Sequence, residues 1–198
     1  MNKFSLILIL VFASSCELPS IIQADQYIEP MPIEVSSNIS DYENVWERIM
    51  DTSSSKNNIL DEKTLKYING YLANPTQFNK LLEKGRYFIF FVLEELERYN
   101  LPPELALLPY IESNYDPFSI SASGAMGIWQ FMPATARIYG LKDTWWYEQR
   151  HDPLVSSKAA VRYLAYLHNR FNKELSYTLA AYNGGPTLLE KQIKINKK

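Results

Sequence analysis

The sequence contains little cysteine and histidine, and this scarcity excludes two kinds of site. Cysteine occurs once, at Cys16, and histidine twice, at His151 and His168. One cysteine cannot form a disulfide within a chain, and these few side chains cannot make an ordinary zinc cluster. We therefore expect no disulfide framework and no metal site, and we expect no cofactor.

Charge of one sign is also lacking, because acidic and basic residues nearly balance. Lys and Arg number 20 and Asp and Glu number 22, which gives a formal net charge of −2. Nucleic acids and anionic lipid surfaces attract proteins with a clear positive excess. Neither is an expected electrostatic partner. The 198 residues, 46% of them hydrophobic, suffice for one domain with appendages.

The hydrophobic run at the N-terminus is too short to span a bilayer as a helix. Lys3 precedes "FSLILILVF", which is followed by the small residues of "ASSC". This pattern predicts a secretory signal peptide over residues 1–15. The residues before Cys16 resemble the bacterial lipobox, which implies that Cys16 is lipidated and anchors the chain to a membrane. The alternative is cleavage by a general signal peptidase, which leaves a free thiol, and both predict export.

Helical patterns follow a stretch that has no regular period. Residues 16–42 contain three prolines, which predicts a flexible tether behind the lipidated end. Residues 43–100 then form a predicted helical region, in which the stretch from Asn74 to Asn100 predicts one core helix. A further helix is predicted from Pro103 to Ser113, because proline suits the first helical position.

One carboxylate, Glu112, directly follows the apolar run "LALLPYI" near the end of that helix. Charged side chains are seldom buried without a partner, so this acid either projects into water or is deliberately desolvated. In a buried site, the negative end of the helix dipole and the apolar neighbours would both raise its pKa. Glu112 is therefore a candidate acid that keeps its proton near neutral pH.

A segment of small residues, "SISASGAMGIWQFMPATARIYGL", contains the next candidates. Gly124 and Gly127 permit positive φ or close approach of a ligand, although most glycines simply mark turns. The indole of Trp129 and the amide of Gln130 suit stacking and hydrogen bonding against the flat face of a sugar. A helix is predicted to begin at Pro133 and to end by the next glycine, at position 140.

Two further helices are predicted towards the C-terminus. Asp152 is the expected cap of a helix that begins at Pro153. The second helix, within "LSYTLAAYNGGP", brings Tyr182 and Asn183 to its end, where they either cap the backbone or reach into a cleft. Because no acid or cysteine cluster surrounds the histidines, we interpret His151 and His168 as packing or surface residues.

Three motifs together carry a resemblance to a known family. In order and spacing, "ESNYDP", "GAMGIWQFMPATA" and "AAYNGGP" resemble the SLT catalytic domain of bacterial lytic murein transglycosylases, particularly the membrane-bound type D group. The resemblance implies a mainly α, goose-type lysozyme-like fold with a catalytic cleft over residues 101–198. It also implies a domain that is shortened at its C-terminus, because relatives usually continue with another helix after Pro186.

The family's activity is cleavage of the β-1,4 bond between N-acetylmuramic acid and N-acetylglucosamine in peptidoglycan. The resemblance implies that Glu112 is the catalytic acid, which protonates the leaving glycosidic oxygen while the muramoyl N-acetyl group stabilises the cation. Glu112 then acts as a base on the C6 hydroxyl, and a 1,6-anhydromuramoyl end forms without water. Residues implied to contact the substrate are Ser113, Ser121, Gln130, Met132, Tyr182 and Asn183.

A single acid distinguishes this prediction from ordinary glycosidases, which use two carboxylates about 5 to 9.5 Å apart. Asp116 precedes Pro117 and is expected to form a turn or cap. The alternatives to a one-acid lytic transglycosylase are a non-catalytic murein-binding lipoprotein and a hydrolytic muramidase. The expected location is the bacterial cell envelope, with the chain lipid-anchored in the periplasm at the outer membrane.

Overall fold

The computed structural model describes residues 45–53, 66, 68–70 and 72–196, and these residues are mainly α-helical. Within these ranges, β-structure is limited to isolated bridges such as the one between Met126 and Phe131. The predicted mainly α fold class is confirmed. The predicted signal peptide, Cys16 and the tether lie outside the described residues.

The described residues belong to two compact units, one ending at Arg162 and the other containing Tyr163–Lys198. We call them the N-terminal and the C-terminal unit. None of the described helices is both long enough and apolar enough to cross a membrane. The helices in chain order, with η for a 3₁₀ helix, are α1 (Val45–Thr52), α2 (Pro75–Gly85), α3 (Ile89–Arg98), η1 (Pro103–Leu107), α4 (Leu108–Ser113), α5 (Pro133–Ile138), η2 (Gln149–His151), α6 (Pro153–Arg170), α7 (Leu175–Gly184) and α8 (Pro186–Asn196).

Helix α3 supplies the centre of the N-terminal unit. Its apolar face is buried and packs against η1, where Leu105 and Ala106 are also buried. On another side, the buried Arg48 of α1 donates from Nε to Glu97 of α3 at 2.8 Å. Burial of these apolar side chains stabilises the framework on which the following helices are placed.

The prediction of one helix from Asn74 to Asn100 is wrong, because the chain forms α2 and α3 with a turn between them. The hydroxyl of Tyr110 donates to the carbonyl of Leu82 at 2.7 Å, in the last turn of α2. A Cβ atom on Gly85 would lie 2.3 Å from that hydroxyl oxygen. The end of α2 is therefore fixed by a tertiary contact that local periodicity does not contain.

The helix predicted from Pro103 to Ser113 forms as two segments, η1 and α4. Pro109 lies in the first turn of α4 and has no backbone N–H to continue a hydrogen-bond ladder from η1. Helix α4 ends as predicted, and its cap Asn114 takes a left-handed conformation with φ 55°. Glu112 consequently lies in the last turn of α4, which confirms its predicted position.

Helix α6 begins as predicted, and Asp152 is its cap. The Oδ1 atom of Asp152 accepts from the backbone nitrogens of Leu154 and Val155, each at 3.0 Å. Such a bond satisfies donors that a helix N-terminus otherwise leaves free. One face of α6 is buried, and Phe171, directly after the helix, is buried as well; the buried side chains of that face include Ala160, Val161, Leu164 and Leu167.

The C-terminal unit has its own small core. Leu167, Phe171 and Ala181 are buried there, with partly buried tyrosines and aliphatic side chains around them. His168 is buried with its Nδ1 3.0 Å from the Thr178 hydroxyl, so its predicted packing role is confirmed. Helix α8 follows directly at Pro186, where the expectation of a shortened domain placed no further helix. It packs against α7 after a turn at Gly185, whose φ is 83°.

Candidate active site

Glu112 is carried by a short helix that two tyrosines hold in place. Besides the bond from Tyr110 to α2, the buried Tyr115 donates from its hydroxyl to the carbonyl of Ala106 at 2.7 Å. The two tyrosine rings meet edge to face, with their centroids 4.5 Å apart. A helix of six residues is marginal alone, so these contacts determine where the Glu112 side chain lies.

The Glu112 carboxyl is partly buried and has no polar partner among the described residues. Burial penalises the charged form, and it raises the pKa of Glu112 from its ordinary value of 4.5 to about 7. The raised pKa predicted from the sequence is thereby supported, with desolvation as the physical cause. Near neutral pH a large fraction of Glu112 carries the proton that a general acid must donate.

This raised pKa has a consequence for stability, with a sign that can be tested. Between pH 4.5 and about 7, folded Glu112 keeps a proton that the unfolded chain releases. The free energy of unfolding therefore declines as the pH rises across this range, and it stays at the lower value above about pH 7. Glutamine avoids this cost. We expect Glu112→Gln to raise the melting temperature by a few degrees at about pH 8 and to change it little at about pH 4. Thermal denaturation at both pH values checks this, and an equal difference at both would contradict it.

Ser113 connects α4 to the segment of small residues, which we call the glycine loop (residues 119–131). Its hydroxyl lies 3.0 Å from the carbonyl of Ile128 in that loop and 3.2 Å from the carbonyl of Pro109. A hydroxyl donates one proton, so it bonds to one of these carbonyls at a time. The residue after Glu112 therefore holds the glycine loop beside the end of α4.

Both glycines of the loop have positive φ, as the sequence indicates, but their surroundings differ. Gly124 has φ 84°, and nothing lies within 4 Å of the position that a Cβ atom would take. Gly127 has φ 77°, and a Cβ atom there would lie 1.8 Å from the backbone carbonyl oxygen of Arg150. The close approach at Gly127 is thus to the protein's own backbone, whereas Gly124 leaves open space.

Gln130 and Ser121 direct polar atoms into the loop itself. The Nε2 of Gln130 donates to the carbonyls of Gly127 at 3.0 Å and Ser119 at 3.3 Å. The hydroxyl of Ser121 accepts from the backbone nitrogen of Ala125 at 2.9 Å. These bonds give both residues a supporting role in the loop that the sequence does not reveal. The predicted substrate residue Met132, which is partly exposed, directly precedes α5.

The proposed sugar-stacking role of Trp129 is wrong. Its side chain is fully buried, and its indole nitrogen donates to the hydroxyl of Ser157 at 2.8 Å. A ring without exposed surface cannot stack on a ligand. The indole nitrogen instead takes the hydrogen bond that a buried tryptophan usually requires.

An ion pair between the buried Arg150 and the partly buried Glu148, which the sequence analysis missed, supports the glycine loop. The guanidinium of Arg150 donates to the carbonyls of Gly124 at 3.0 Å and Phe131 at 3.2 Å. The same group forms a bidentate pair with Glu148, with distances of 2.9 and 2.6 Å. This pairing lowers the pKa of Glu148, mainly through the hydrogen bond from Arg150. An acidic and a basic residue separated by one position form no recognisable sequence pattern. The sequence therefore did not reveal that Arg150 binds the carbonyls of the glycine loop.

Asp116 takes the turn role predicted for it. Its Oδ1 accepts from the backbone nitrogen of Phe118 at 2.9 Å, and the side chain is exposed. Across the part of the chain that the structure describes, no group of three or more His, Cys, Asp or Glu side chains is placed to hold a metal ion.

Tyr182 and Asn183 belong to the C-terminal unit. Tyr182 is partly buried, and its ring centroid lies 5.5 Å from that of Tyr163. Asn183 is exposed in the last turn of α7. The structure thus brings Glu112, Ser113 and the glycine loop together within the N-terminal unit. Participation of Tyr182 and Asn183 in the same site stays a prediction.

Comparison with known proteins identifies relatives of the part of the chain that contains Glu112 and the glycine loop. Residues 90–198 match the model of the family described as Transglycosylase SLT domain. The chain is 37% identical over 127 residues to "Membrane-bound lytic murein transglycosylase D" of Escherichia coli (strain K12), covering 64% of this chain and 28% of that protein. It is 38% identical over 98 residues to "Putative tributyltin chloride resistance protein" of Alteromonas sp. (strain M-1), covering 50% of this chain and 47% of that protein.

A third relative is "Membrane-bound lytic murein transglycosylase F" of Desulfosudis oleivorans, which is 36% identical over 87 residues. That alignment covers 41% of this chain and 18% of the relative. The chain therefore matches less than half the length of each of these three proteins.

Proposed function

The chain belongs to the transglycosylase SLT domain family, and we propose that it is a lytic transglycosylase that cleaves peptidoglycan glycan strands. The bond cut is the β-1,4 bond between N-acetylmuramic acid and N-acetylglucosamine, and the product carries a 1,6-anhydromuramoyl end. The observation that carries this proposal is Glu112, a partly buried acid without a polar partner among the described residues, whose pKa is raised to about 7. The mainly helical fold agrees with the lysozyme-like domain of this family.

The proposed reaction uses Glu112 twice. As an acid, Glu112 gives its proton to the glycosidic oxygen while the C1–O bond of the muramoyl residue breaks. The carbonyl oxygen of the substrate's N-acetyl group stabilises the positive charge at C1. As a carboxylate, Glu112 then takes the proton of the C6 hydroxyl, whose oxygen forms the new bond to C1. Acid and base roles balance, so Glu112 ends the cycle protonated and no water is consumed.

The proposed substrate contacts lie in or next to the three motifs that carry the family resemblance. The family resemblance supports them, together with the bond from Ser113 to Ile128, which holds the glycine loop beside the helix that carries Glu112. In the N-terminal unit, α4 contributes Ser113 and the glycine loop contributes Ser121 and Gln130. Met132 directly follows that loop. Tyr182 and Asn183, at the end of α7, are proposed as substrate contacts on the family resemblance alone.

Digestion of purified peptidoglycan by the full chain tests this function. Mass spectrometry of the released fragments should show muropeptides with 1,6-anhydromuramoyl ends. Reducing ends would assign the protein as a hydrolytic muramidase, and the absence of released fragments would assign it as a non-catalytic murein binder. Either of these outcomes would overturn the proposal.

Tyr182→Phe should separate a role in the reaction from a role in folding. Removing one hydroxyl from a partly buried ring should change the melting temperature little. We expect the rate of anhydro-product formation to fall at least about tenfold, because the resemblance assigns the Tyr182 hydroxyl a role in the transition state. Stability and product formation are measured on the same samples. A less stable variant with full activity would show that Tyr182 is structural.

Lipid anchoring of Cys16 is the remaining part of the proposal, and it would place the protein in the bacterial cell envelope. We propose that the mature chain begins at a lipidated Cys16 and is held at the outer membrane. Labelled palmitate should enter the unsubstituted chain, and Cys16→Ser should abolish the label and release the protein from membranes. Equal membrane partition of the two forms would contradict the anchor.

A further inference from the structure

Two tryptophans lie at the tip of a tight turn in the N-terminal unit, after α5. Trp145 is 92% exposed and Trp146 is 77% exposed. Their rings stack on each other with centroids 5.3 Å apart and planes only 8° from parallel. We call these two residues the tryptophan pair. Large exposed aromatic surfaces on a protein usually mark a place where something binds.

The turn that carries the tryptophan pair is held in a fixed shape. The backbone nitrogen of Thr144 donates to the carbonyl of Tyr147 at 3.0 Å, and the hydroxyl of Thr144 lies 3.1 Å from that carbonyl. At the base of the turn, the backbone nitrogen of Lys142 donates to the Gln149 side chain at 2.6 Å. Such a preorganised surface loses little conformational entropy when it binds a ligand.

The turn and the glycine loop share one support. Glu148, at the end of the turn, holds the guanidinium of Arg150 in its bidentate pair. That guanidinium donates to the carbonyls of Gly124 and Phe131 in the glycine loop. The tryptophan pair is therefore built onto the same framework as the loop beside Glu112.

We propose that the tryptophan pair is an accessory glycan-binding subsite, which takes sugar rings of the murein strand away from the bond that is cut. This assignment rests on the proposed function only for the identity of the glycan. Parallel indole faces suit the flat, C–H-lined face of a pyranose ring, and the neighbouring polar groups suit its hydroxyls. A glycan strand is long enough to contact two sites on one protein. Binding at the tryptophan pair would therefore add to the affinity of the strand for the site at Glu112.

The charges around the tryptophan pair favour a glycan over a lipid surface. Lys142 and Asp143 precede the pair, are both exposed and carry opposite charges. Glu148, after the pair, forms an ion pair with Arg150. The turn therefore carries no positive excess. Membrane-surface segments instead combine aromatic residues with Lys and Arg, because anionic headgroups attract positive charge. The N-acetylmuramic acid and N-acetylglucosamine residues of murein bear amide N–H and hydroxyl groups. These groups can donate hydrogen bonds to an exposed carboxylate such as that of Asp143.

Binding of the full chain to purified murein sacculi tests the subsite, with Glu112→Gln present in every sample so that no glycan is cut. We expect the double variant Trp145→Ala, Trp146→Ala to weaken cosedimentation at least about fivefold. The matched control is Ile138→Ala, which removes another exposed apolar side chain of the same unit. Because the double variant could unfold, Trp145→Ala alone and the conservative pair Trp145→Phe, Trp146→Phe are measured beside it. The single variant should weaken binding and the Phe pair should retain most of it.

Unchanged binding by the alanine variants, or an equal loss in Ile138→Ala, would overturn the subsite. The tryptophan emission of the unsubstituted chain and of the double variant is also measured with glycan strands and with vesicles of phosphatidylethanolamine and phosphatidylglycerol. The subsite would be overturned if only the vesicles shifted the emission of the unsubstituted chain relative to that of the double variant. The two proposals fail separately. Absence of cleavage products from the unsubstituted chain overturns the transglycosylase, whereas the binding comparison decides the tryptophan pair.

Discussion

Glu112→Gln is expected to reduce the formation of anhydromuramoyl products by about 10²- to 10⁴-fold, the range typical of a lost general acid. Glutamine keeps the shape of the side chain and its place at the end of α4. It can neither donate the proton that the leaving oxygen needs nor take one from the C6 hydroxyl. Product formation is measured at saturating murein, with cosedimentation on the same samples to show that the variant still binds.

The matched control for this prediction is Asp116→Asn. Asp116 is the nearest other acid in the motif, and its side chain accepts a hydrogen bond from the backbone of Phe118, which an asparagine oxygen can also accept. We expect the control to retain activity within about twofold, because the proposed mechanism uses one acid. If Asp116→Asn were as inactive as Glu112→Gln, a two-carboxylate mechanism would replace the one proposed here.

Gly127→Ala is expected to cost about 3 kcal/mol or more in the free energy of unfolding. Two effects add at this position. The backbone has φ 77°, which an alanine adopts with strain, and the new Cβ atom would lie 1.8 Å from the carbonyl oxygen of Arg150. Backbone cannot move aside as a flexible side chain does, so the glycine loop must shift. Urea denaturation measures the loss.

Gly124→Ala provides the comparison that separates strain from crowding. Its φ of 84° is equally unfavourable for alanine, but nothing lies within 4 Å of the added atom. We therefore expect a cost of only about 1 to 2 kcal/mol. Equal losses for the two variants would show that crowding against Arg150 contributes nothing, and the described packing of the glycine loop would be contradicted.

Local sequence patterns were sufficient for the parts of the fold that local interactions determine. The start of α6 follows from Asp152 and Pro153, whose capping and fixed φ act within one turn. The break between α2 and α3 was missed, although Gly85 ends α2 and offered a local signal. The contact of Tyr110 with Leu82, 28 residues away, holds that end and leaves no trace in the local periodicity. Periodicity records which face of a helix is apolar, and it does not record where a distant side chain ends that helix.

The candidate site divides in the same way. The position of Glu112 at a helix end and its raised pKa followed from an apolar run and a proline-started helix. The role of Trp129 did not, since an indole next to glycines looks identical in sequence whether it faces a ligand or Ser157. The clamp of Arg150 on Gly124 and Phe131 likewise depends on tertiary geometry.

The central claim is that Glu112 drives an intramolecular reaction in which water takes no part. The most direct test is digestion of murein by the full chain in oxygen-labelled water, followed by mass spectrometry of the new glycan ends. The account predicts anhydromuramoyl ends without label, and none of these products from Glu112→Gln. Labelled reducing ends, or anhydro ends formed equally by the glutamine variant, would contradict it.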